Sequence, residues 1–141
     1  GVVDICEENS KEQAWWPKFP KNCAISYLEL NRPEDAIASF EMMAKKKSEW
    51  VEANLAIADV LIQTGKKQEG ADRFAEVINQ TQDPTAKEVL KGVLYLRLYP
   101  RREQKILEAK SYFEKALEID PESAEAQAWM EFADELLNPE D

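Results

Sequence analysis

The chain contains no histidine. That excludes Ser-His-Asp and Cys-His catalytic pairings and every histidine-ligated metal site within it. Glycine is scarce, with four residues in 141, and none belongs to a glycine-rich phosphate loop. No apolar run approaches the roughly 20 residues of a membrane-spanning helix, so direct membrane insertion is not expected. Basic residues number 18 against 28 acidic ones, a net charge of −10, which argues against binding nucleic acid through the whole surface. The two cysteines, Cys6 and Cys23, are too few for a structural zinc site. The acidic tail lacks the Asp/Asn spacing and the glycine of an EF-hand loop.

What is present describes a helix-rich protein. Hydrophobic residues make up 44% and charged residues 33% of 141 positions, enough for one domain with a real core. The start at Gly1 without methionine and the polar end Asn138-Pro139-Glu140-Asp141 read as a fragment or processed form. The cysteine pair permits one disulfide. The preferred reading takes both as small apolar residues, with Cys23 in a helical core slot and the chain cytoplasmic. The alternative is a Cys6–Cys23 bridge, which would suggest a periplasmic or other exported compartment.

Charge is uneven along the chain, with net values of −1 over 1–47, −3 over 48–94 and −6 over 95–141. Two basic clusters interrupt it: Lys45-Lys46-Lys47, and Arg97, Arg101, Arg102 and Lys105. They read as solvated loop or helix-end charge, or as a patch for an acidic partner.

Three segments share one template. The first holds Ala24, Tyr27, Ala36 and Phe40, and the second Ala58, Leu61, Gly70 and Phe74. Ala24 to Ala58, Ala36 to Gly70 and Phe40 to Phe74 are each 34 residues. The third keeps the later half, as Ala109, Phe113, Ala116 and Pro121. Small residues let two helices cross closely, and the phenylalanines fill the space between units. Asn31-Arg32-Pro33 and Thr64-Gly65-Lys66 are turn signals, with Gly65 placed to end a helix in the left-handed region. Asp83-Pro84 and Asp120-Pro121 mark helix starts, Asp as N-cap and Pro in the first turn. The spacing predicts helices over about 20–31, 33–46, 49–64, 67–80, 84–99, 103–118 and 122–137. In helix 84–99, anchoring on Asp83-Pro84 puts Leu90, Val93 and Leu94 inside. That adds two residues before the helix and three after it. The strict 34-residue step would instead put Gly92 at the crossing and bury Lys91, which is expensive for an unpaired lysine.

These elements resemble the tetratricopeptide repeat family, a 34-residue helix–turn–helix unit. The resemblance implies an all-α, right-handed α-solenoid of three repeats (about 20–47, 48–82 and 83–121). Residues 1–19 would form an N-terminal cover, with Trp15-Trp16-Pro17 packed on the first repeat or exposed as an aromatic anchor. Residues 122–141 would form a capping helix and tail. There Trp129, Met130, Ala133, Leu136 and Leu137 would cover the preceding repeat, while Glu125, Glu131, Asp134 and Glu135 would face water.

No constellation suggests a reaction. The carboxylate pairs Glu7-Glu8, Glu34-Asp35 and Asp134-Glu135 are expected by chance in an acidic helical chain. We therefore expect no enzyme activity, no cofactor and no metal. In the resembling family, positions 2, 5, 9, 12 and 13 of each repeat face a concave ligand groove. Carried onto this sequence, the groove residues are Lys21, Ile25 and Leu28; Leu55, Asp59 and Ile62; and Lys91, Tyr95 and Leu98. The two-carboxylate clamp of chaperone-binding members is not expected. Lys21 matches it, but Ile25 and Ala56 replace its asparagines, and Glu88 and Gly92 its last two bases. An apolar strip edged by charge suits a peptide or amphipathic helix of another protein. The expected function is a non-catalytic interaction module, an adaptor or scaffold. Self-assembly into a homo-oligomer is the alternative.

Overall fold

A computed structural model describes residues 20–139. Among them are seven α-helices: α1 (Pro20–Glu29), α2 (Pro33–Ala44), α3 (Trp50–Gln63), α4 (Lys67–Gln80), α5 (Pro84–Leu98), α6 (Glu103–Ile119) and α7 (Ala124–Leu137). A short 3-10 turn, Lys47–Glu49, leads into α3. The described residues contain no strand. The class is all-α, a succession of helical hairpins, and each expected helix is present within about two residues at its ends. Trp15-Trp16-Pro17, Cys6 and Glu7-Glu8 lie outside the described residues.

The described residues group into two compact units, one ending at Arg73 and one starting at Phe74. The division falls inside α4 and not at an expected repeat boundary.

In the first unit α2 packs on both α1 and α3. Its core joins Cys23, Ala24 and Tyr27 of α1 to Ala36, Phe40 and Met43 of α2, and to Ala53, Ile57, Val60 and Leu61 of α3. The helix ends repeat as the cores do. Asn31 (φ 58°) and Gly65 (φ 92°) both take the left-handed conformation. In each turn the next amide donates to a carbonyl five residues back, Arg32 to Tyr27 and Lys66 to Leu61, both at 2.8 Å. Those bonds satisfy carbonyls that the helix end would otherwise leave open. Where α3 crosses α4, a Cβ on Gly70 would lie 2.8 Å from the Ala58 carbonyl oxygen and 2.6 Å from Ile62 Cγ1. Only glycine allows that approach. Cys23 is buried as expected, but it is disulfide-bonded and not a free thiol, which corrects its reading as an unbonded apolar residue.

In the second unit α5 and α6 form a hairpin, and α7 packs on both. Asp83 caps α5 as predicted, its side chain accepting from the Thr85 amide at 3.2 Å. The register of α5 differs from the preferred one. Gly92 is the crossing residue: an added Cβ would stand 2.9 Å from the Ala109 carbonyl oxygen and 2.5 Å from the Phe113 ring. Val89, Val93 and Leu96 are buried with it, whereas Leu90 and Leu94 are only half-buried. The strict 34-residue step therefore holds from Ala58 to Gly92, and likewise from the helix start at Trp50 to that at Pro84. All five extra residues lie between the two helices of the hairpin. The lysine that seemed expensive to bury is not buried. The Lys91 side chain is 37% exposed and its Nζ reaches Glu88 Oε1 at 3.2 Å, as long amphipathic side chains do.

The start of the last helix brings a third correction. The capping helix starts at Ala124, and its N-cap is Ser123, whose hydroxyl accepts from the Ala126 amide. Asp120 instead closes the preceding turn, accepting from the Glu122 amide at 3.1 Å. Trp129 stacks on Phe113 with ring centroids 6.1 Å apart, Ala126 and Ala133 are fully buried, and Lys110 pairs with Asp134 at 2.8 Å. Glu125, Glu131, Asp134 and Glu135 are exposed.

Candidate functional site

The predicted groove residues fall into two groups, each within one unit. In the first unit, Lys21, Ile25 and Leu28 are spaced i, i+4 and i+7 and form one stripe on α1. Glu52, Leu55, Asp59 and Ile62 form a corresponding stripe on α3. Lys21 Nζ donates to Glu52 Oε1 at 2.6 Å, which joins the two stripes. That hydrogen bond, with the attraction of the carboxylate, holds the lysine pKa above its usual value. The lysine is therefore cationic throughout the neutral range.

Beside this exposed ion pair the face presents apolar side chains. Ile25 is 43% exposed and Leu28 40%. Leu55 and Asp59 are half-buried. Ile62 is different. It is buried, because its Cγ1 fills the space left by Gly70 at the crossing with α4. A partner could reach Ile25, Leu28 and the edge of Leu55, but Ile62 belongs to the helix crossing.

In the second unit Lys91, Tyr95 and Leu98 are all half-buried on α5. Lys91 and Tyr95 point to α6. Tyr95 stacks on Tyr112 of α6, centroids 5.6 Å apart with the planes inclined by 16°. The Tyr112 phenol beside it, and then burial, hold the Tyr95 hydroxyl above its ordinary pKa, so it remains a hydrogen-bond donor at neutral pH. On the corrected register the family's ligand-facing positions in this unit would be Ala86, Val89, Val93, Leu96 and Arg97. Val89, Val93 and Leu96 are buried, and Arg97 lies with its guanidinium 5.8 Å over the Trp129 ring. The signal that would have found this register is the repeated helix start, Trp50 to Pro84.

Sequence reasoning did not assemble the tyrosines. Tyr99 lies 6.5 Å from Tyr95, and Lys105 sits 5.5 Å over Tyr95 and 5.2 Å over Tyr99. Lys91 stood out in the repeat pattern as a groove position, but Tyr112 and Lys115 did not.

Among the described residues, no group of three or more acidic or cysteine side chains could hold a metal ion. No helix there is long and apolar enough to cross a membrane. The Glu34-Asp35 and Asp134-Glu135 pairs sit on helix surfaces, and two of their members are already engaged. Asp35 accepts from Arg32 at 2.7 Å, and Asp134 pairs with Lys110.

Comparison with known proteins agrees with the hairpin geometry. Residues 89–123 match the family model described as tetratricopeptide repeat. That span contains the Gly92–Ala109 crossing, Phe113 and Ala116. The search of curated proteins gives no match. Repeats of this kind generally mediate protein–protein interactions and are typically non-catalytic. Residues 89–123 are thus a tetratricopeptide-type repeat, and the small residue at its helix crossing, Gly92, has its counterpart 34 residues upstream at Ala58.

Proposed function

We propose that the chain is a non-catalytic interaction module whose first unit holds an apolar peptide or amphipathic helix of a partner protein. The observation that carries this reading is the exposed apolar face of α1, Ile25 and Leu28, joined to α3 through Lys21 and Glu52. Apolar residues at helical spacing on the partner would supply affinity by burying this face, and the charged pair at its edge would set register. Exposed apolar residues that cluster and are rimmed by charge mark interaction sites more often than inert surface.

The test is paired capture from source extract, with the wild type and an Ile25→Glu/Leu28→Glu variant as baits. Both positions are exposed, so the variant should keep the far-UV circular dichroism of the wild type. A protein retained by the wild type and lost by the variant is the expected result. Identical catches would overturn the groove assignment. Covering the same face with a second copy is the competing reading. A wild type that sediments as a dimer, with the variant a monomer, would establish it.

The disulfide at Cys23 supports an oxidising compartment for this module. Cys6 is the sequence's one other cysteine. Intact mass of protein purified from its source should rise by two hydrogens on reduction. An unchanged mass would contradict the exported location.

A further inference from the structure

The second unit carries a surface of a different chemistry. Within residues 91–115 there are seven basic and three acidic residues, in a chain whose net charge is −10. Four of those cations are set against the rings of three stacked or tilted tyrosines. Lys91 and Lys115 lie 6.0 Å and 5.2 Å from the Tyr112 ring centre. Arg102 lies 5.5 Å from that of Tyr99, and Lys105 spans Tyr95 and Tyr99. Two carboxylates offset part of the charge: Glu88 pairs with Lys91 and Glu108 with Lys105, at 3.2 and 3.3 Å. Arg102 and Lys115 are exposed.

We infer that this tyrosine–cation ledge on the α5–α6 hairpin docks a short acidic segment, rich in Asp and Glu, of a partner protein. A ring face holds each cation in place without consuming its N–H donors, which remain available to carboxylates. The tyrosine hydroxyls add neutral donors, and tyrosine contributes contact area at little entropic cost. From Lys105 to Lys115 along α6 is about 15 Å, the length of four to five extended residues. The size favours a peptide over a long polyanion, since the acidic remainder of the chain would repel phosphates running beyond the ledge. The inference rests on residues of the second unit alone and does not depend on the reading of the first unit.

The test is fluorescence anisotropy with a labelled octaglutamate peptide, a scrambled serine–glycine peptide as blank and an octauridylate of similar charge. The expected result is saturable octaglutamate binding that weakens with salt. It should fall about tenfold in an Arg102→Glu/Lys115→Glu variant whose melting temperature is unchanged. Ile25→Glu/Leu28→Glu and Lys45→Glu/Lys46→Glu should bind the peptide like the wild type. Equal loss in the Lys45/Lys46 variant would show diffuse charge attraction and overturn the inference, as would octaglutamate binding unaffected by the ledge variant. Tighter binding of octauridylate than of octaglutamate would assign the ledge to single-stranded nucleic acid instead.

Discussion

Gly92 shows how one residue sets the geometry of a hairpin. Alanine is a better helix former than glycine by about 1 kcal/mol, so propensity alone predicts that Gly92→Ala stabilises α5. The contacts predict the reverse. The new methyl would meet the Phe113 ring at 2.5 Å and the Ala109 carbonyl oxygen at 2.9 Å. The carbonyl is backbone, and Phe113 is fully buried, so neither can yield cheaply. Overpacking of this kind costs about 1–3 kcal/mol, and the melting temperature should fall by several degrees. Gly65→Ala makes a useful contrast, since nothing stands near its Cβ position and its strain comes from φ 92° alone. A Gly92→Ala protein as stable as wild type would return the crossing to another residue. At the same scale, Cys23 was legible as a buried position but not as a bonded one. Helical spacing reports the face on which a side chain lies, not its oxidation state.

At the scale of elements, the hairpins were legible because local and periodic signals agree. Pro33 and Pro84 open helices, Asp83 caps one, and Asn31 and Gly65 close two at a 34-residue interval. The register of α5 was not legible by the same reasoning. Lys91 stands next to Gly92, and an argument from desolvation assigned the lysine a cost that its bond to Glu88 and its partial exposure remove. The tyrosine ledge was legible only in part: Lys91 and Tyr95 were groove positions and Arg102 and Lys105 a basic cluster, but Tyr112 and Lys115 were missed because the partners meet across a loop whose five extra residues break the repeat spacing. Ile62 matched a ligand-facing position in the pattern, yet it fills the gap above Gly70. Between elements, Arg73 of α4 links α2 and α3. Its guanidinium donates to both Glu41 oxygens and, at 3.0 Å, to Asn54 Oδ1. The Asn54 amide in turn donates to the Trp50 carbonyl at 2.8 Å. Asn54 is buried, so removing its donor leaves an oxygen short of a partner. Because the Arg73–Glu41 pair is partly exposed, its screened contribution is small. Arg73→Ala should therefore lower stability by about 1–2 kcal/mol, chiefly through Asn54. Urea denaturation measures it. An Arg73→Ala/Asn54→Ala double variant should lose less than the sum of the two single changes, and strict additivity would contradict the link.

For the whole molecule, the two proposed surfaces differ in chemistry and in salt response. The α1–α3 face is apolar with one ion pair at its edge, so its binding should persist as ionic strength rises. The ledge is cationic and should release an acidic segment under the same conditions. The capping helix adds no cationic surface, since its exposed Glu125, Glu131, Asp134 and Glu135 turn an acidic face to solvent.

The most direct measurement is calorimetric titration of the captured partner segment into the wild type and into Ile25→Glu/Leu28→Glu, at low and at high salt. The account predicts affinity about 100-fold weaker in the variant, equivalent to about 3 kcal/mol of lost apolar burial and added charge. It also predicts little change with salt for the wild type. Equal affinities for the two proteins would contradict the central claim that the apolar face of α1 and α3 is where the partner binds.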